Sequence, residues 1–297
     1  MQKSIFLIRA ILLLTVASWG NAGDCFITTF DLDDCNVRAK EGDVSAQYNL
    51  GVMYADGQGI PQDHSKALEW YAKAAAQGYA EAQYNLGVMY AVGQGIPQDD
   101  SKALEWHSKA AAQGDAKAQY NLGGMYVVGQ GVPQDDSKAF GWYAKAAAQG
   151  DAKAQYTLGV MYAGGQGIPQ DDSKALEWHS KAAAQGDAEA QYNLGVMYYK
   201  GLGVPQDHSK AFEWYAKAAA QGYAKAQYNL GVMYVVGLGV LQDYVMAHMF
   251  LNLAAVQGGK KEARARDHLT KLMTPSQIEE AQRRAKEWGF GVARSGR

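Results

Sequence analysis

The chain contains 297 residues, of which 48% are apolar and 20% are charged, and its formal net charge at pH 7 is −2. This composition is ordinary for a soluble protein, and the acidic balance gives no electrostatic footprint for binding nucleic acid. Glycine is the unusual count, at 34 residues. Most of the glycines recur periodically, which indicates helix ends and turns and argues against disorder.

The first residues have the pattern of an export signal. Lys3 and Arg9 supply positive charge, residues 10–17 form an apolar run, and small residues at 20–22 flank a cleavage point. We therefore predict a signal peptide over residues 1–22 and a periplasmic or secreted protein with no membrane span after the signal is removed. An uncleaved signal anchor is the alternative, although the apolar run is shorter than the roughly 18 residues of a spanning helix.

The chain has two cysteines, Cys25 and Cys35, and both follow the predicted signal. In an oxidising compartment they are expected to pair as a disulfide. A metal site would need further soft ligands nearby, and a redox pair would favour Cys-x-x-Cys spacing. They lie in an N-terminal capping segment, residues 23–42, where the acidic start at 31–34 predicts a helix that ends before Gly42.

Beyond this segment one stretch recurs six times. The stretch Ala82–Tyr90 repeats every 36 residues, with copies that begin at Ala46, Ala82, Ala118, Ala154, Ala190 and Ala226. A fixed period of this length is typical of a solenoid, in which each unit buries its apolar face only against its neighbours. The sequence therefore predicts an all-α solenoid of six helix-turn-helix repeats, over residues 43–78, 79–114, 115–150, 151–186, 187–222 and 223–258.

Each repeat is predicted to contain two helices, named helix A and helix B. In the second repeat, helix A runs from about Ala80 to Ala91. Its apolar residues recur with the 3.6-residue period of a helix, at Ala82, Leu86, Met89 and Tyr90. Gly87 lies in the middle of this helix, where glycine costs roughly 1 kcal/mol relative to alanine. We attribute it to the close approach of a neighbouring helix, which any Cβ would block.

A glycine-rich turn separates the two helices. Gly93 can take the left-handed conformation that ends a helix, and Pro97 prevents the helix from continuing. Asp99 or Asp100 then caps helix B, which runs to about Gln113. The inner stripe of helix B is predicted to combine one tryptophan with small residues, namely Ala103, Trp106, Ala110 and Ala111.

The sixth repeat departs from this pattern. Its helix B is more apolar, because Val245 and Met246 replace the usual serine and lysine. We therefore predict that residues 259–297 cover it with two capping helices. The first is expected over Glu262–Met273 and the second from Thr274 to about Trp288, beginning with a capping box.

The unit Ala-x-Ala-Gln-Tyr-Asn-Leu-Gly-x-Met-Tyr-x-x-Gly-x-Gly-Val/Ile-Pro-Gln-Asp-x-x-Lys-Ala-x-x-Trp-Tyr-x-Lys-Ala-Ala-x-Gln-Gly closely resembles the Sel1-like repeat, a relative of the tetratricopeptide repeat. The resemblance covers residues 43–258. It implies a right-handed α-solenoid with helix A lining the concave face. Proteins of this kind mostly act as adaptors that hold a protein or peptide, and many bacterial ones are exported.

The resemblance also implies candidate binding residues. In the related tetratricopeptide groove, the asparagine at the matching position of helix A hydrogen-bonds the backbone of a bound peptide. Thr157 interrupts the corresponding series here. The alternative is that the asparagines bond a neighbouring helix and hold the repeats together. The series consists of Asn49, Asn85, Asn121, Asn193 and Asn229.

The end of helix A varies between repeats, so the fold does not dictate these residues. If they face the groove, its centre carries exposed aliphatic side chains, which would suit an apolar peptide face. Burial under the next turn is the alternative. The candidate partner-binding residues at these positions are Val92, Val128, Lys200 and Val236. His107 and His179 alternate with tyrosines on helix B and lie too far apart to share one metal, so we interpret them as structural.

We predict no enzyme activity, no metal and no cofactor. The chain has no Ser-x-x-Lys, Gly-x-Ser-x-Gly, His-Glu-x-x-His or phosphate-loop motif. One cysteine-rich branch of the resembled family is linked to β-lactam hydrolysis, but it carries a disulfide in each repeat and this chain has none there. The predicted function is a monomeric, exported adaptor that binds a protein or peptide in the concave groove. The alternative is a cell-envelope hydrolase or a glycan-binding protein.

Overall fold

The computed structural model describes the backbone of residues 32–295 and the side chains of residues 32–288. In this part of the chain every regular element is an α-helix, so the predicted all-α class is confirmed. None of the helices found there is long and apolar enough to span a membrane. The helices are α1 Leu32–Lys40, α2 Val44–Asp56, α3 His64–Ala76, α4 Ala80–Val92, α5 Asp100–Ala112, α6 Ala116–Val128, α7 Asp136–Ala148, α8 Ala152–Gly164, α9 Asp172–Ala184, α10 Ala188–Lys200, α11 His208–Ala220, α12 Ala224–Val236, α13 Tyr244–Val256, α14 Lys260–Thr270 and α15 Pro275–Ser295.

Helices A and B alternate and each packs against its neighbours in the chain, which gives the predicted solenoid. Helices α2, α4, α6, α8, α10 and α12 are helices A, and each is followed by its helix B. The core lies between them and consists of alanine, leucine and methionine from helix A together with alanines and a buried tyrosine, histidine or leucine from helix B. Helix α1 occupies the position of a helix B that precedes the first repeat. Cys35 lies on α1 and is buried, whereas Cys25 and the predicted signal peptide fall outside the described residues.

The caps follow the predicted chemistry. Gly93 takes the left-handed conformation, with φ 73°, and its N–H donates to Met89 O. The equivalent glycine ends the helix A of every repeat in the same way. Asp99 caps helix B, because its carboxylate accepts a hydrogen bond from the Lys102 backbone N–H at 3.0 Å.

The glycine within helix A makes room for a ring, which confirms the predicted close approach. A Cβ built on Gly87 would lie 2.6 Å from the His107 ring on the helix B of the same repeat. The first five repeats place a tyrosine or histidine against this glycine, and the sixth places Leu251 there. The ring is therefore the buried group of helix B. Trp106, which was predicted for the inner stripe, is only partly buried.

A pair of glutamines ties each repeat together. Gln83 donates from Nε2 to Ala75 O of the preceding helix B at 3.2 Å. Its Oε1 accepts from Gln113 Nε2, at the end of its own helix B, at 2.7 Å. The same pair recurs in all six repeats. Because the helix A glutamine is buried, these bonds satisfy amide groups that would otherwise be costly.

The C-terminal helices cover α13, as predicted. The Phe250 and Trp288 rings lie 5.3 Å apart, and His248 Nε2 contacts Thr270 Oγ1 at 3.1 Å. The capping box is present, because Thr274 N donates to Gln277 Oε1 at 2.9 Å. The end predicted for the second helix is wrong: α15 continues past Gly289 to Ser295. A glycine inside a helix costs only about 1 kcal/mol and does not by itself end it.

Candidate functional site

The solvent-facing side of the helices A carries two rows of half-buried side chains. One row contains a tyrosine from every repeat: Tyr48, Tyr84, Tyr120, Tyr156, Tyr192 and Tyr228. The other row lies one helical turn further on and is interrupted by Gly124 in the third repeat: Val52, Val88, Val160, Val196 and Val232. Residues four apart share a helix face. We call these two rows the helix A surface.

The predicted asparagine row lies at the seams between repeats. The Asn85 side chain contacts the hydroxyls of Tyr48 and Tyr71 in the preceding repeat, where it offsets part of the rise in pKa that burial causes in both tyrosines. Asn193 Nδ2 lies 3.4 Å from His179 Nε2, which is also in the preceding repeat. These contacts fit the interpretation that the asparagines hold the repeats together. Binding of a peptide backbone by the asparagines stays a prediction.

Two positions in this row differ from the others. Asn49 is 1% exposed, and neither atom of its amide has a hydrogen-bond partner within the described residues. By contrast, Asn85 and Asn193 each face a tyrosine or histidine of the preceding repeat. Thr157 donates its hydroxyl to Lys153 O, on its own helix, at 2.8 Å, and its side chain also contacts the Tyr120 hydroxyl of the preceding repeat.

The ends of the helices A are exposed. Val92 is 47% exposed, Val128 51% and Val236 61%, and Lys200 is also exposed. The alternative that these valines are buried under the next turn is therefore wrong. They leave apolar side chains in solvent beside the helix A surface.

The sequence reasoning missed that two helices A begin without a capping side chain. Four of them start at an aspartate whose carboxylate accepts an N–H three residues further on, at 2.6 to 2.8 Å: Asp43, Asp115, Asp151 and Asp187. Tyr79 and Tyr223 take this position in the second and sixth repeats and form no such bond. Their rings instead lie 5.0 Å from Tyr48 and 5.2 Å from Tyr192, respectively. Aligning the six repeats would have shown this exchange.

Carboxylates surround the tyrosines at these helix starts. Burial is the main cause that raises the pKa of Tyr223 to about 12, and Glu189, Tyr192 and Asp187 add to it. Burial is also the main cause of the raised pKa of Tyr156, and Glu189 again adds to it. The pKa of Asp115 is raised by burial and by Glu81, although Lys117 opposes the effect. The edge of the helix A surface therefore combines aromatic rings with negative charge.

The two helix B histidines are buried in the array. His107 and His179 are each 2% exposed, and Nδ1 of each has no hydrogen-bond partner in the described part of the molecule. Burial lowers the pKa of both to about 4. They are therefore neutral near pH 7, which agrees with their structural interpretation.

These features suit recognition. The helix A surface offers aromatic rings and aliphatic side chains in a repeating order, with carboxylates at its edge in some repeats, and a surface of this kind can hold an extended polypeptide. Within residues 32–288, no group of three or more His, Cys, Asp or Glu side chains is placed to hold a metal ion.

The repeats match a known family along most of the chain. The profile of the Sel1 repeat matches six consecutive segments: 44–79, 80–115, 116–151, 152–187, 188–223 and 224–259. Sel1 repeat proteins generally serve as scaffolds for protein interactions. No curated protein sequence matches the chain significantly.

Two solved structures share the architecture. A protective antigen present in uropathogenic Escherichia coli strains is 33% identical with a TM-score of 0.65, over 91% of this chain and 66% of that one. The chain thus spans just under two thirds of the length of that antigen. A Sel1 repeat protein from Oxalobacter formigenes is 35% identical with a TM-score of 0.65, over 72% of this chain and 86% of that one. The chain belongs to the Sel1 repeat family.

Proposed function

We propose that this protein is an exported scaffold that binds a protein or peptide along the concave groove lined by its helices A. The observation that carries the proposal is the exposure of valines at the ends of three helices A, where about half or more of each residue is open to solvent. Together with the tyrosine and valine rows they offer an apolar strip along the array. A long, partly preformed groove lowers the ordering cost of binding a peptide.

Site-specific crosslinking tests this proposal. A photoreactive amino acid at position 92 or 128 should capture a defined partner in native envelopes. The same amino acid in place of Glu105, which is exposed on helix B, is the matched control. Equal capture from the two sides of the array, or none from position 128, would contradict binding at the helix A surface.

Export and the disulfide form the second part of the proposal. The signal-like residues 1–22 support cleavage before Gly23, and the Cys25–Cys35 pair would then form outside the cytoplasm. Mass spectrometry of the purified native protein should show the shortened chain and the loss of two hydrogens. An intact N-terminus would instead indicate an anchor, and two alkylated cysteines without prior reduction would remove the disulfide.

Replacing Asn85, Asn121 and Asn229 with alanine separates the two roles of the asparagine row. If the row also grips a peptide, the folded triple variant loses partner capture as well as some stability. If the row only holds the seams, melting temperature falls and capture by the folded protein is unchanged. A buried hydrogen bond of this kind contributes about 1 kcal/mol.

A further inference from the structure

Tyr223 occupies a position where the fold favours a different residue. Four helices A begin at a capping aspartate, and a residue that cannot cap is less favourable at this position. Tyr223 makes no side-chain cap, and its ring instead lies 5.2 Å from Tyr192, tilted by 50°. The ring thus lies beside the helix A surface, and the start of α12 lacks the hydrogen bond of a capping side chain.

Two carboxylates stand beside these rings. Asp187 caps α10 and accepts the Ala190 N–H at 2.7 Å, and Glu189 follows two residues later. The charged groups that act on Tyr223 are these two carboxylates, and both also act on Tyr156 in the fourth repeat. Neither carboxylate forms an ion pair within the described residues. Lys225 is nearby in sequence and is exposed.

A contact elsewhere in this chain shows that an ammonium group fits against a tyrosine of the same row. One repeat further along, α14 continues over the array and places Lys261 Nζ 4.4 Å from the ring centroid of Tyr228. Tyr228 is the last member of the tyrosine row. An ammonium group over a tyrosine ring is stabilised by the ring quadrupole, and a neighbouring carboxylate strengthens the attraction. The layer of Tyr156, Tyr192 and Tyr223 has rings and carboxylates but no such cation over its rings among the described residues.

We infer that Tyr156, Tyr192 and Tyr223, with Asp187 and Glu189, bind a lysine or arginine side chain of the partner segment. The inference deepens the proposed function and rests on it. The partner is therefore a polypeptide with a basic residue in register with the fourth to sixth repeats. Valines of the same surface contact its apolar neighbours.

Fluorescence anisotropy with the signal-free chain tests the inference. The probe is a fluorescein-labelled peptide of Lys-Gly-Ser repeats, and a Glu-Gly-Ser peptide of equal length is the reference. The lysine peptide should bind and the glutamate peptide should not. Asp187→Asn with Glu189→Gln keeps the helix cap but removes both charges, and it should weaken binding roughly tenfold. Asp207→Asn with Glu213→Gln makes the same change on helix B of this repeat and should alter binding less than about twofold.

Tyr223→Asp separates the ring from the charge. The substitution copies the capping residue of four other repeats and gives α12 a side-chain cap, and the melting curve of the variant shows whether a loss of binding reflects misfolding. It also adds a negative charge, which would tighten a purely electrostatic complex. We expect weaker binding of the lysine peptide. Tighter binding, or equal losses in the two charge-neutralised variants, would overturn the inference.

The remaining outcomes distinguish this inference from the proposed function. If the lysine peptide does not bind but crosslinking at position 128 still captures a partner, the inferred site for a basic side chain is wrong and the proposed scaffold function is kept. If neither occurs, both fall. Concentration-dependent dimerisation that the lysine peptide competes away would assign the site to a second copy, and would also overturn the inference.

Discussion

At the scale of single residues, two histidines make the array sensitive to acid. The unfolded chain takes up protons on His107 and His179 near pH 6.5, whereas burial lowers the pKa of both in the folded state to about 4. Between about pH 6.5 and pH 4, the unfolded state therefore binds protons that the folded state does not bind. The contribution of the two histidines to the free energy of unfolding is fully present above about pH 6.5 and is lost toward pH 4, by at most about 3 kcal/mol for each histidine.

Replacing His107 and His179 with tyrosine, the residue that other repeats carry there, should remove this part of the acid sensitivity. The variant should keep a higher melting temperature than the wild type as the pH falls from about 7 to about 4, since tyrosine does not titrate there. Melting curves by circular dichroism measure the difference. His64→Asp, which copies Asp100 at the start of helix B, is the control, because it removes a histidine without changing His107 or His179. Parallel pH profiles for wild type and the double variant would contradict the assignment.

The packing around two adjacent glycines on α6 predicts opposite effects on stability when each is replaced with alanine. A Cβ on Gly123 would lie 2.8 Å from the Tyr143 ring, whereas a Cβ on Gly124 would meet only the Tyr143 hydroxyl at 3.6 Å. Gly123→Ala should destabilise the protein by about 1 to 3 kcal/mol, because the ring must move. Gly124→Ala should stabilise it by up to about 1 kcal/mol, because alanine is the better helix former. Urea unfolding of both variants checks the signs, and a shared sign would refute the packing argument.

At the scale of helices, the C-terminal cap keeps an apolar helix covered. Helix α13 is more apolar than the other helices B, and α15 packs over it through Trp288. A chain that ends at residue 273 would expose Phe250 and Met246, so it should bind a hydrophobic dye and aggregate. A chain that ends at residue 288 keeps Trp288 and should remain monodisperse in light scattering. If the shorter chain is equally stable and soluble, the cap is not needed.

The helices themselves were predictable because their signals are local. These signals are the spacing of apolar residues, the glycine and aspartate caps and the capping box at Thr274. Each acts within a few residues, and the predicted caps are present in the structure. The glutamine pair was not predictable in this way, because Gln83 and Gln113 meet only after helix A and helix B have packed. The same holds for His107, whose burial depends on the space left by Gly87. Tyr223 was visible in the sequence, but its meaning required the ring contact with Tyr192.

At the scale of the whole molecule, stability is a sum over repeats and the interfaces between them. Inserting a second copy of residues 115–150 after residue 150 should therefore raise both the denaturant midpoint and the m-value, because more surface is buried in the same geometry. Equilibrium unfolding by circular dichroism measures both. A lower midpoint would show that the interfaces between repeats are not interchangeable.

The contacts between repeats have a consequence for how such a protein changes over generations. The turn glycine Gly95 packs on the backbone of His64 in the preceding repeat. In the third repeat, Gly131 packs in the same way on the backbone of Asp100 in the second repeat. Because the junctions use the same register, an in-frame duplication or loss of one repeat in the gene creates no new kind of junction. The length of the helix A surface can therefore vary by recombination alone, while single substitutions such as the tyrosine at position 223 vary its chemistry.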